Sequence, residues 1–467
     1  MDFTNPLATM FRGSIKASDC GISFQEAKRS DPLAFSLARI LLVSALIGAP
    51  WTFGAVDSWA WMSLCLIASL VLLLWAVGSV QQGTLKLVWS PLYMPIALFL
   101  LLGFVQYIGR LALDRWETRT ALVLLAANLI FFFMSIQLFG TARAENRRRF
   151  GLAVLLFSGM LGLFSVLQFA SGTPKLYWNF DTDGTFFGPY GNPDHYAGLM
   201  EMLIPVAAFS LAERRKSVPV VALTVLVVTI AVASLLLSGS RSGVLALAVE
   251  VLIAVGLGAW YPQSAHGIKR PPPAEQRSNL TVSLIILAAV LMFSCLLFAW
   301  VDTGAVAKRL GAIASPGDAW AEWSSFRKSV AFDSLRMVRE HRVIGVGLGN
   351  FETAYPRYQS FATDLTVDYA HNDYAQAIAE TGLAGACLIL ASLALFFRLA
   401  FRDLRRRMGS GDDWIAIGAA VGCCGLLVHS FFDFNLHIPA NAAWFAVLAG
   451  IAITGKSVRT SSSSRQL

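Results

Sequence analysis

The chain has 467 residues, 56% of them hydrophobic and only 14% charged. Soluble domains carry about 25% charged residues, so a globule with water over most of its surface is excluded and a polytopic membrane protein is expected. The net charge of +8 then reports loop topology, and no nucleic-acid partner is needed to explain it.

Residues 1–32 are polar and mixed in charge, and no cleavable signal is expected there. Apolar runs near the roughly 20-residue spanning length follow at 33–50, 58–78, 91–109, 119–140, 150–170, 195–212, 217–237, 242–260, 281–301, 379–401, 413–431 and 438–454. The expected fold class is an all-α polytopic integral membrane protein of about twelve transmembrane helices, with one long external loop containing amphipathic helices. Five cysteines fall inside these runs and Cys20 in the tail, with no disulfide framework or metal-ligand spacing.

The loops alternate in charge. Twenty-three of the 37 Lys and Arg residues lie in one set, among them Arg147, Arg148, Arg149, Arg214, Arg215, Arg405, Arg406 and Arg407. By the positive-inside rule that set faces the cytoplasm, with both termini. Segments 171–194, 238–241, 302–370 and 432–437 then face outward. The expected organisation is a cytoplasmic tail at 1–32, transmembrane helices at 33–178, a core at 179–395, further transmembrane helices at 396–454 and a tail at 455–467. The linker 261–280, with Pro271-Pro272-Pro273, and the run Ser461 to Ser464 suggest no chemistry.

Within 302–370, Trp320, Trp323, Phe326, Val330 and Met337 recur at helical spacing, so an amphipathic helix with its aromatic side on the membrane surface is expected. Gly345-Val346-Gly347-Leu348-Gly349 follows, without the strand, helix and Lys of a nucleotide loop. Next comes His371-Asn372, a polar head leading into the apolar run 379–401. On a continuous helix Gly382 and Gly385 return to nearly the face of His371, a smooth strip for a neighbouring helix.

Three other polar groupings share the outward face: Asn192, Asp194 and His195 before the sixth run, Ser238-Gly239-Ser240-Arg241-Ser242-Gly243 between the seventh and eighth, and Arg327. An Arg at a helix start, flanked by serines, suits a phosphate; it also suits a lipid headgroup anchor. An imidazole suits proton abstraction from a hydroxyl; an interfacial His also serves as a plain polar residue. Asp194 fits a helix cap. Glu201 and Glu250 lie inside spans, which marks each as a functional candidate without assigning a role. His429, Asp433 and His437 read as outward loop residues, and His266 as a solvated cytoplasmic one.

The string His371-Asn372, nine residues, then Gly382-Leu383-Ala384-Gly385 resembles the His-[Asn/Ser/Gln]-x9-Gly-x-x-Gly signature of the bacterial O-antigen ligase/polymerase superfamily. The resemblance covers roughly residues 180–395, with the Asn192-Pro193-Asp194-His195 lead-in, the Ser-Gly-Ser-Arg-Ser-Gly turn and Arg327 before the Gly345–Gly349 stretch; the first five spans match only in hydropathy. It implies a metal-independent, inverting, GT-C-like glycosyltransferase of the bacterial inner membrane that needs no cofactor. The implied donor is a glycan on a polyprenyl (undecaprenyl) diphosphate carrier, and the acceptor a glycolipid or growing glycan at the outer face, among membrane lipids. Carried onto this chain, His371 is the general base and Arg241 and Arg327 hold the departing diphosphate, with Asn372, His195 and Asn192 in support. Ligation to lipid A–core, repeat-unit polymerisation and protein glycosylation all remain open. A transporter is the competing class, expected to show paired broken helices or an internal repeat, and an envelope scaffold is a third.

Overall fold

The computed structural model describes residues 32–140, 144–182, 185–212, 218–260, 318–363, 366–402, 407–408 and 413–454, with isolated positions at 304, 306, 307 and 311. Among them there is no strand, only two isolated bridges. The longer helices are α1 Leu33–Gly48, α2 Ser58–Gln82, α3 Tyr93–Ile108, α4 Arg115–Gly140, α5 Ala144–Ala170, α6 Pro193–Phe209, α7 Val218–Ser238 and α8 Arg241–Trp260. They continue with α9 Asp318–Glu340, α10 Asp373–Ala400, α11 Trp414–His429 and α12 Pro439–Ile453. Among the described residues six stretches are long and apolar enough to cross a membrane: Leu33–Trp51, Ser58–Gln82, Arg115–Gly140, Glu145–Ala170, Val218–Ser238 and Asp373–Ala400. α3, α11 and α12 are shorter apolar helices. The expected run 281–301 lies outside the described residues; the other runs are helical.

The bundle is built around α6, α11 and α12, whose side chains are buried nearly all round, while α2 and α10 leave many apolar side chains on the outside. α6 and α11 touch backbone to backbone. A Cβ at Gly422 would lie 2.6 Å from the Met202 carbonyl oxygen, and one at Gly418 would lie 2.8 Å from that of Pro205. This Gly-x-x-x-Gly spacing provides the small-residue seam that membrane helices use where lipid gives no hydrophobic drive to associate.

The seam expected at Gly382 and Gly385 is a different object. Gly382 has φ +64° and ψ −162° and breaks α10 into two helical pieces. The backbone freed by the break is taken up by the segment before the glycine-rich turn. Leu383 N donates to the Arg342 carbonyl at 2.8 Å and Ala384 N to that of Val343 at 3.0 Å; in return Val346 N and Gly347 N donate to the Ala379 and Glu380 carbonyls, both at 3.0 Å. Gln106 of α3 locks this junction by donating to the Ile344 carbonyl at 2.6 Å and accepting from Leu348 N at 3.0 Å. A continuous helix was expected from spacing alone; the positive φ and the waiting carbonyls decide otherwise. Gly382→Ala puts a methyl 2.5 Å from the Val343 carbonyl carbon in a backbone region that costs about 1–3 kcal/mol for a side chain. The purified variant is expected to melt several degrees below wild type; an unchanged melting curve contradicts the bracing role.

The amphipathic helix exists as α9, and the described residues of its expected apolar face, Phe326, Val330 and Met337, meet protein. Val330 and Met337 are fully buried against Val346, Phe351, Tyr355 and Tyr358. Asp333 fastens the same layer, accepting from Tyr355 Oη and Ser360 N, each at 3.0 Å. The side chains of Trp320 and Trp323 lie outside what is described. α9 is thus part of a cap of the protein's own chain over one end of the bundle.

Candidate functional site

The hub beneath that cap is the connection between α11 and α12. It is stitched to the first turn of α10: Asn372 Nδ2 donates to the Phe431 carbonyl at 2.9 Å, and Asp373 Oδ2 accepts from Ser430 Oγ at 2.8 Å and Leu436 N at 3.1 Å. Asp373 Oδ1 lies 2.8 Å from His437 Nδ1. Asn372 is also the N-cap of α10, accepting from Ala375 N at 2.9 Å. These contacts hold His371 at the helix start in a left-handed conformation, φ +48°, which is uncommon for a residue other than glycine and a recurrent feature of functional sites.

Asp433 is the centre of the constellation. Its side chain is completely buried, with His371 Nδ1 3.4 Å from Oδ1 and His195 Nε2 3.6 Å from Oδ2. Burial alone raises a carboxyl; here the neighbouring His195 imidazole, the hydrogen bond from His371 and the nearby His429 and Arg327 outweigh it and hold Asp433 well below the ordinary carboxylate range. Asp433 accepting at Nδ1 places the His371 proton there and leaves Nε2 with a lone pair, the tautomer that proton abstraction requires. Phe434 packs edge-on against both imidazoles, with ring centroids 4.7 Å from His195 and 5.0 Å from His371.

His195 stands in the first turn of α6, whose N-cap is Asn192 and not Asp194: Asn192 Oδ1 accepts from Asp194 N at 2.8 Å, and its Nδ2 lies 3.5 Å from His195 Nε2. Asp194, freed from capping, binds Arg327. The Arg327 Nη2 donates to Asp194 Oδ2 at 3.3 Å and Nη1 to the Phe432 carbonyl at 2.9 Å, which carries a residue of α9 to the same hub.

Arg241 opens α8, after the turn in which Gly239 has φ +78°. The turn reaches the hub through its serine: Ser242 Oγ is 2.8 Å from His429 Nε2, and His429 Nδ1 is 2.7 Å from Glu201 Oε1, with both partners of that last pair fully buried. His429 is the last residue of α11, immediately before the connection that carries Asp433. Arg241, Arg327, His195, Asn192, His371 and Asn372 therefore belong to one end of the bundle. Glu250 lies deeper, its carboxylate oxygens without a hydrogen-bond partner among the described residues.

Three functional candidates were read only as loop or unassigned residues from sequence: Asp433, the Glu201–His429 pair and the Asp373–His437 pair. One signal was available. An acid inside a span demands a partner, and His429, at the end of an apolar run, is one of few groups able to meet Glu201 at that depth. Asp433 had no such signal, because only folding reveals that the nine-residue connection 430–438 lies between two imidazoles from distant segments.

An apolar groove of about 570 Å³ leads away from this end between α8, α10 and α11, from Tyr374 and Phe431 at its head past Ile253 and Leu390 to Phe397. Residues 225–390 match a family model described as O-antigen ligase. No curated protein matches the chain. The matched segment contains Arg241, Arg327, His371 and Asn372; Asn192 and His195 precede it.

Proposed function

We propose, from the match of residues 225–390 to the O-antigen ligase family model, that this chain transfers a glycan from a polyprenyl diphosphate carrier to an acceptor hydroxyl at the outer face of the inner membrane. The observation that carries the reading is Asp433 behind His371, at the bundle end where Arg327 and the Arg241 turn also sit. His371 Nε2 takes the proton from the acceptor hydroxyl as its oxygen bonds to the anomeric carbon. The bond from that carbon to the carrier diphosphate breaks, and Arg241 and Arg327 take up the negative charge that develops on the leaving oxygen. Attack opposite the leaving group inverts the anomeric centre. The leaving group carries the driving energy, and two guanidiniums do for the diphosphate what a divalent cation does elsewhere; transfer is expected to persist in chelator.

The groove between α8, α10 and α11 suits the prenyl chain, because its walls are almost wholly apolar and its head ends at the loop that binds Arg327. The charge alternation of the loops supports a hub on the outer face, with about twelve spans and both termini cytoplasmic as expected from the sequence. The break in α10 is filled by the protein's own backbone, unlike the broken helices whose exposed ends bind transporter substrates.

Arg327→Ala is expected to lower transfer on the order of 10²-fold, the usual cost of one transition-state donor, while the protein stays in the membrane at normal level. Wild-type transfer by that variant contradicts the diphosphate role. Ligation to lipid A–core is the favoured reaction and repeat-unit polymerisation the second reading. The glycolipids of a deletion strain separate them: loss of all long chains with accumulation of carrier-linked polymer marks a ligase, and display of single repeat units marks a polymerase.

A further inference from the structure

The opposite end of the bundle carries its own concentration of arginine. Arg147 and Arg407, both buried, converge on Asp413 at 3.4 and 3.8 Å, and Arg407 Nη2 donates to the Ala452 carbonyl at 3.0 Å. At this end a cavity of about 280 Å³ opens between α1 and α5. Two stripes at helical spacing face each other across it: Ser36, Arg39 and Val43 on α1, and Asn146, Arg149 and Phe150 on α5.

Arg39 is the one ionisable residue of α1. It lies six residues in, about 9 Å along the axis at 1.5 Å per residue, among leucine, isoleucine and valine. Its Nη2 donates to Ser36 Oγ at 3.3 Å. Arg149 pairs with Glu145 one turn earlier at an exposed position, an interaction that solvent screens. The neighbouring Leu37 and Ile40 are 43% and 62% exposed, so in a membrane the mouth of the cavity opens onto lipid. Mostly apolar walls that carry two guanidiniums, together with a lipid-facing mouth, match one molecule available at that surface in quantity.

We infer that this cavity is a headgroup site for an anionic phospholipid of the leaflet opposite the His371 hub. Arg39 and Arg149 hold the phosphodiester with charge-assisted bonds, Asn146 and Ser36 add neutral ones, and the acyl chains run along Leu37 and Ile40. A cationic side chain inside a span is costly in lipid; a resident anion offsets that cost. The site stands apart from glycan transfer and does not depend on it.

The test is native mass spectrometry of the full chain in mild detergent, titrated with dioleoyl phosphatidylglycerol or dioleoyl phosphatidylcholine. Phosphatidylglycerol is expected to bind at lower concentration than phosphatidylcholine. Arg39→Leu and Arg149→Gln are each expected to raise the concentration required about fivefold, the worth of one basic residue at an anionic surface. Arg110→Gln, in the loop after α3 at the other end, is expected to change nothing. Leucine at position 39 makes α1 more apolar, so insertion is retained, and Arg39→Lys, which keeps the charge but loses the fork, should fall between. Wild-type lipid binding by Arg39→Leu, or equal binding of the two lipids, overturns the assignment. Complete displacement by millimolar inorganic phosphate also overturns it, in favour of a site for the free anion.

Discussion

His371→Ala is expected to abolish glycan transfer, with a loss of at least about 10²–10⁴-fold, the contribution of a positioned general base. The imidazole is held by Asp433 at Nδ1 and boxed by Phe434 and Phe326, at centroid distances of 5.0 and 6.0 Å. His371→Asn is the sharper variant. Asparagine tolerates the left-handed backbone at this position better than alanine does, and it has no basic nitrogen. Both proteins should appear in the membrane at wild-type level by immunoblot while transfer is lost. Wild-type glycan display with either one removes His371 from the chemistry.

Asp433→Asn is expected to cost a similar factor, on the order of 10²–10⁴ in turnover, by a different route. The substitution keeps shape and removes the charge that sets the His371 tautomer, the situation in which catalytic triads lose most of their rate. Because two imidazoles and Arg327 hold Asp433 ionised, its folded value lies below the ordinary carboxylate range. Its contribution to stability is present above that ordinary range and is lost only as pH falls through the depressed folded value. Acid loss of activity at milder pH is therefore not expected to come from protonation of Asp433. The split of kinetic constants separates the residues: Asp433→Asn should lower turnover with little change in KM for the donor, whereas Arg327→Ala should also raise that KM. An Asp433→Asn enzyme with wild-type turnover contradicts the orienting role.

Much of this arrangement was legible in the sequence, and the parts that were not share a physical reason. Apolar runs of spanning length locate helices directly, because lipid leaves the backbone no other way to satisfy its polar groups. Residues at the ends of those runs, His371, Arg241, His195 and Asn192, could be assigned to one surface from charge alternation alone. What topology does not supply is pairing within that surface. Asp433 became central only when the α11–α12 connection folded onto the start of α10, and Arg327 found Asp194 only because Asn192 took over the cap. Gly382 was misread for a related reason. Spacing describes an unbroken helix, whereas its backbone is set by hydrogen bonds to residues 342–347, some forty positions earlier. The seam between α6 and α11, by contrast, carries a Gly-x-x-x-Gly spacing at Gly418 and Gly422 that was available to be read.

Everything chemical here rests on the hub handling a sugar diphosphate at one membrane surface. The direct measurement is single-turnover transfer by the purified full chain in liposomes, from a polyprenyl diphosphate glycan to its acceptor, in the presence of chelator. Wild type is expected to form the inverted glycosidic bond and release the carrier diphosphate, and Arg241→Ala and His371→Asn to form neither. Release at the wild-type rate by both variants, or a product that retains the donor's anomeric configuration, contradicts it.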